Sequence, residues 1–84
     1  MILDCSLAGR LRMRAQAIAD LDAWLERNRI PLEGLESIEI RGQASHGAHD
    51  VRIRREGRVR PQAKSIEEYL PRSLWWYMTE GEAK

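Results

Sequence analysis

The chain has 84 residues, is 43% hydrophobic and 32% charged, and carries a formal net charge of +1 at pH 7. That length leaves room for one domain, residues 1–84, with a modest core, and so even a charge balance argues against a dedicated nucleic-acid binder, whose domain is usually more basic. One cysteine, Cys5, excludes an intrachain disulfide.

Phe is absent, so packing volume must come from nine Leu, seven Ile, three Met and three Trp. No apolar stretch approaches the roughly 18 residues of a membrane span. The start, Met1-Ile2-Leu3-Asp4, lacks the basic region of a signal peptide. A cytoplasmic location is the expectation that follows. Arginine outnumbers lysine twelve to two, and a guanidinium offers planar, bidentate recognition that an ammonium does not.

Leu3, Cys5 and Leu7 alternate with Asp4 and Ser6, a period of two that predicts a strand over residues 1–7. Ala8-Gly9-Arg10 reads as a turn. Residues 11–14 fit either a returning strand or a first helical turn. Over residues 14–28, Leu11, Ala15, Ile18, Leu21 and Leu25 recur at helical spacing with Trp24 beside them, the pattern of an amphipathic helix. Asn28 suits a left-handed helix end and Pro31 forbids continuation. Ile38 and Ile40 alternate with Ser37, Glu39 and Arg41, a second strand over residues 36–41. Residues 42–49 form a polar loop.

Residues 50–61 read as a hairpin. A two-residue turn at Glu56-Gly57 sets Arg54 opposite Val59 and mixes the faces. A three-residue loop, Arg55-Glu56-Gly57, pairs Arg54 with Arg58, Ile53 with Val59 and Arg52 with Arg60. The second register gathers Val51, Ile53 and Val59 on one face and is the one expected, because a one-residue slip inverts every side chain. Ser65-Ile66-Glu67-Glu68 fits a helix capping box. Pro71 interrupts after about one turn, and Leu74-Trp75-Trp76-Tyr77-Met78 continues as a second helical segment.

Three features point toward function. In the expected register Arg52, Arg54, Arg58 and Arg60 project together. Residues 41–64 carry seven basic and two acidic groups, whereas the flanking segments are each net acidic. Such a patch suits an acidic protein partner, or a nucleic acid entered by a β-ribbon. It also suits a plain solvated face whose like-charge pairs are offset by Glu39. The second feature is Trp75, Trp76 and Tyr77. Residues about 100° apart on a helix cannot all face one core, so at least one Trp is lateral or exposed, as interface anchors are. Core filling from two sides is the competing reading, and base stacking a third. The third feature, His46 and His49 with Asp50, has a spacing that zinc can use, yet no second pair completes a tetrahedral set. A Cys5–His catalytic pair needs a proximity that spacing alone does not supply.

The expected fold is therefore α+β: an antiparallel sheet of three to five short strands packed on one main helix, with a C-terminal helical segment. The expected function is non-catalytic and needs no cofactor or metal. It is that of a stand-alone regulator or inhibitor occupying a partner protein's surface, which can itself be a nucleic-acid-binding one, as small phage and mobile-element accessory proteins do. Arg52, Arg54, Arg58, Arg60, Trp75, Trp76 and Tyr77 are its expected partner-binding residues. Direct nucleic-acid binding through the arginine hairpin is the alternative, and a homodimer is compatible with either.

Overall fold

Alternation of apolar and polar residues places Leu3, Ile38, Ile40, Val51 and Ile53 on one side of a single antiparallel sheet, all of them buried. The computed structural model describes residues 1–41, 50–62 and 70–79. Its strands are β1 (Ile2–Asp4), β2 (Leu35–Arg41), β3 (Asp50–Arg55), β4 (Arg58–Pro61) and β5 (Met78–Thr79), ordered β4-β3-β2-β1-β5. Two helices, α1 (Leu7–Leu11) and α2 (Ala15–Arg27), and a 3₁₀ helix (Arg72–Tyr77) complete the described elements. This is the small antiparallel sheet with a main helix and a C-terminal helical segment that the patterning implies. The polar loop of residues 42–49, with His46 and His49, and the capping box at 65–68 lie outside the described residues.

The first expected strand stops early. Leu3 and Cys5 are buried, but Leu7 is 75% exposed and opens α1. Ser6 causes the change of direction. Its hydroxyl accepts from the Gly9 N–H at 3.2 Å and donates to Asp4 Oδ1 at 2.6 Å, an N-cap that satisfies an otherwise orphan helix donor. The Ser6 hydroxyl, opposed by partial burial and aided by the Ser6 N–H and Arg12, holds the Asp4 carboxyl below its ordinary range. The expected turn at residues 8–10 is thus helical, and Leu11 ends that helix at 76% exposure instead of joining the α2 stripe.

The buried stripe of α2 is Ala17, Leu21, Trp24 and Leu25, with Ile18 half-buried and Ala15 exposed. It is rotated from the expected stripe toward Trp24, because turning the large indole inward removes the most apolar surface from water. Full burial of a side chain such as Leu21 or Leu25 contributes about 1.5–3 kcal/mol. Arg10 Nη2 meets Asp22 Oδ1 at 2.7 Å and ties α1 to α2. The helix ends on a left-handed Arg29 (φ 59°) and not on Asn28 (φ −97°). The Ile30 N–H donates to Leu25 O and the Arg29 N–H to Glu26 O. This is the Schellman closure, and it brings Ile30 into the core.

The hairpin register also differs from expectation. Glu56 and Gly57 both have positive φ, 52° and 79°, so the turn is the two-residue type I′ form. Arg54 pairs with Val59, Ile53 with Arg60 and Arg55 with Arg58. Val59 therefore leaves the apolar face and is 41% exposed. The Gly57 N–H also donates to Glu36 Oε2 at 3.1 Å, from the irregularity in β2 between Leu35 and Ser37.

Candidate partner-binding site

A sheet presents alternate residues to opposite faces, so this register divides the four expected arginines. Arg52 and Arg54 lie on the face away from the helices. There Glu39 is the cross-strand partner of Arg52, and Ser37, paired with Asp4, stands opposite Arg54. Opposite charges facing each other across strands stabilise a solvated surface. Arg58 and Arg60 lie on the helix side of β4, beyond the cover of α2. The four arginines do not form one face, because the type I′ turn shifts β4 by one residue relative to the expected pairing.

The structure instead brings Arg58 and Arg60 together with Arg55. These three line a groove of about 610 Å³ whose wall includes Ile30, Pro31 and Ile53. Arg55 is held in place: its Nη1 donates to Pro31 O at 2.8 Å and to Glu33 O. Arg58 and Arg60 are exposed. The ion pairs Arg10–Asp22 and Arg12–Asp4 do not involve these side chains. Glu56 is the one carboxylate among the described residues that line the groove. Arg55 has the same signal in the sequence as Ile53, two positions earlier on the same face, but the three-residue loop removed it from the strand.

The aromatic residues separate just as clearly. A 3₁₀ helix has three residues per turn, so residues three apart eclipse one another. Arg72 and Trp75 form one row, Ser73 and Trp76 a second, Leu74 and Tyr77 a third. Leu74 is fully buried. Trp75 is half-buried against the core; its Nε1 donates to Leu70 O at 3.2 Å and the Arg72 guanidinium lies 5.5 Å from its ring centre. The Tyr77 hydroxyl accepts the Arg14 N–H at 3.1 Å, at the start of α2. The Ser73 hydroxyl donates to Asp20 Oδ2 at 2.7 Å. That bond, with a second from Gln16, holds the Asp20 carboxyl below its ordinary range. Trp76, on the Ser73 row, is left 88% exposed, bordering a concavity that Arg14, Gln16 and Ala17 also line.

Trp76 and the arginine groove stand at opposite ends of α2, a 13-residue helix about 20 Å long. Elsewhere, Cys5 is 3% exposed and burial pushes its thiol up to about 12, which removes the thiolate that nucleophilic chemistry requires. Among the described residues no group of three or more His, Cys, Asp and Glu side chains could hold a metal ion, and no helix is long and apolar enough to cross a membrane. Comparisons with protein-family models, with curated proteins and with solved structures find no match for this chain.

Proposed function

We propose that this protein acts by binding a partner protein, as a regulator or inhibitor that covers part of the partner's surface, with Trp76 as the central anchor. The observation that carries this reading is the 88% exposure of Trp76 on a rigid support. Large apolar side chains are scarce in a chain without Phe, yet one indole stays in water. The residues around it are fixed by the Ser73–Asp20 and Tyr77–Arg14 bonds. The backbone that carries Trp76 therefore has little freedom left to lose on binding, which favours affinity, and Trp is among the commonest interface hot spots. Arg58 and Arg60 would add electrostatic steering at the far end of α2. Arg52 and Arg54, interleaved with Glu39 and Asp4, are a solvated sheet face in this reading, and Trp75 and Tyr77 support Trp76 more than they touch a partner.

The test is capture from a lysate of the source organism with wild-type and Trp76→Ala baits, each with and without nuclease. One protein partner retained by the wild type in both conditions and lost with Trp76→Ala is the expected result. Retention that disappears with nuclease replaces this reading with nucleic-acid binding through the arginines, whose affinity falls with salt at a slope of about −0.9 per phosphate neutralised on duplex DNA. Equal capture by both baits removes Trp76 as the anchor.

A further inference from the structure

The helix-side arginine groove poses a physical problem that the isolated chain does not solve. Arg55 and Arg58 are direct cross-strand partners, and Arg60 follows two positions on along the same face. Like charges placed opposite each other on a sheet are destabilising, and among the described residues lining the groove Glu56 is the carboxylate beside three guanidinium groups. A bound anion would offset this crowding, and the groove is large enough to admit one. Arg55 is already immobilised by the Pro31 and Glu33 carbonyls, so part of the ordering cost of binding is met before an anion arrives. Guanidinium forks match the two oxygens of a carboxylate or a phosphate.

The edge strand narrows what can enter. In an antiparallel pair, alternate residues bond inward and the others point their backbone groups outward. The residues next to the turn, Arg55 and Arg58, face each other, and the Gln62 N–H donates to Val51 O. Arg58, Arg60 and Gln62 thus bond toward β3, while Val59 and Pro61 face outward. Pro61 has no N–H, and it closes the edge to an added strand. The occupant therefore enters by its side chains.

Charge and lining decide which anion. A nucleic-acid strand is followed by a continuous positive track. Here the three arginines cluster at one end of the β3–β4 hairpin, a compact group that matches individual carboxylates better than a running strand. The apolar wall of Ile30, Pro31 and Ile53 suits the methylene groups that carry a glutamate or aspartate carboxylate. We infer that the Arg55–Arg58–Arg60 groove binds carboxylate side chains of an acidic segment on the partner protein. The inference rests on the protein-binding reading and adds to it a second contact, about one helix length from Trp76.

The experiment uses the full chain labelled with ¹⁵N, titrated with a blocked hexaglutamate peptide, a hexaglutamine control and hexathymidylate. The expected result is a set of shifts confined to residues 30–33 and 53–62 and the Arg55, Arg58 and Arg60 side chains, caused by hexaglutamate and not by hexaglutamine. Arg58→Glu with Arg60→Glu should weaken peptide binding by about tenfold or more, as removal of paired charges does. Arg52→Glu with Arg54→Glu should change it less than about twofold, since solvent and salt screen those outer-face charges. The milder Arg60→Gln, with a wild-type urea midpoint, guards against a folding defect. Tighter binding of hexathymidylate, shifts on the outer face, or equal losses from both double variants would overturn the groove assignment. These results leave Trp76-dependent capture to stand or fall separately. Failed capture with hexaglutamate shifts in place would leave the groove as a carboxylate site without the Trp76 anchor.

Discussion

Replacing Gly9 with Ala sets two known effects against each other. Within a helix Ala is favoured over Gly by about 1 kcal/mol, so α1 considered alone would gain. The tertiary structure forbids that gain. A Cβ on Gly9 would lie 2.3 Å from Asp4 O, 2.6 Å from Asp4 Cγ and 2.9 Å from the Asp4 carbonyl carbon, where ordinary van der Waals contact begins at 3.4 Å. More than 1 Å must be opened, and both sides are tethered. The end of β1 is held by the Asp4–Ser37 pairing and the 2.8 Å bond from the Cys5 N–H to Glu36 O. The α1 helix is held by the Arg10–Asp22 ion pair. Overpacking of this kind costs about 1–3 kcal/mol, and here the contact is backbone, which yields less than a side chain. Taking the upper half of that range for a backbone contact, about 2–3 kcal/mol, and subtracting the helix gain leaves an expected net loss of about 1–2 kcal/mol. Urea unfolding followed by the fluorescence of buried Trp24 measures it. With a slope of about 1 kcal/mol per molar urea for a domain this small, the midpoint should fall by about 1–2 M. A midpoint equal to or above that of the wild type would refute the close approach of α1 to β1, and with it the account of why the first strand ends at Asp4.

Two further outcomes follow from local geometry. Glu56→Asn creates the Asn-Gly pair that type I′ turns favour; because Glu56 holds φ 52°, a conformation costing a non-Gly residue about 1–2 kcal/mol that Asn tolerates better, the urea midpoint should rise. An unchanged or lower midpoint would return the hairpin to the three-residue register. Cys5, raised from 9.0 to about 12 by burial, is protonated in the folded protein at neutral pH. Its neutral-thiol stabilisation is fully present below about pH 9, its unfolded value, and is lost as pH rises toward the folded value. A disulfide reagent should label the thiol only after unfolding, and Cys5→Ala should flatten the alkaline decline in stability. Rapid labelling of the native protein would show that the β1 end is open.

The division of the arginines bears on how the chain works. On the outer sheet face Arg52 stands opposite Glu39 and Arg54 opposite Ser37, whereas Arg55, Arg58 and Arg60 crowd a groove with one glutamate among its described residues. Two arginines placed opposite each other beside a third are unfavourable for stability taken alone. The same economy applies to the aromatics: Trp24 and Trp75 serve the core, and Trp76 does not.

What the amino-acid sequence determined by itself were the elements whose patterns serve local and global demands together. The alternation of Ile38 and Ile40, the helical stripe through Leu21 and Leu25, and the stop before Pro31 each answer to backbone geometry and to burial at once. The α+β class follows from them. What the tertiary structure alone decided were the places where those demands part. Val59 looked like an inward residue because apolar residues on a strand usually face the core. The β4 strand is an edge beyond the reach of α2, where burial enforces no register, and the twist preference of the Glu56-Gly57 turn sets the pairing instead. Leu7 and Leu11 matched their patterns but lost to the Ser6 cap, which turns the chain before they can join the core. The C-terminal run of apolar residues carried no signal separating 3₁₀ from α geometry. Yet that difference of about 20° per residue, secured by the bonds of Ser73 to Asp20 and Tyr77 to Arg14, decides that Trp76, and not Trp75, faces the solvent.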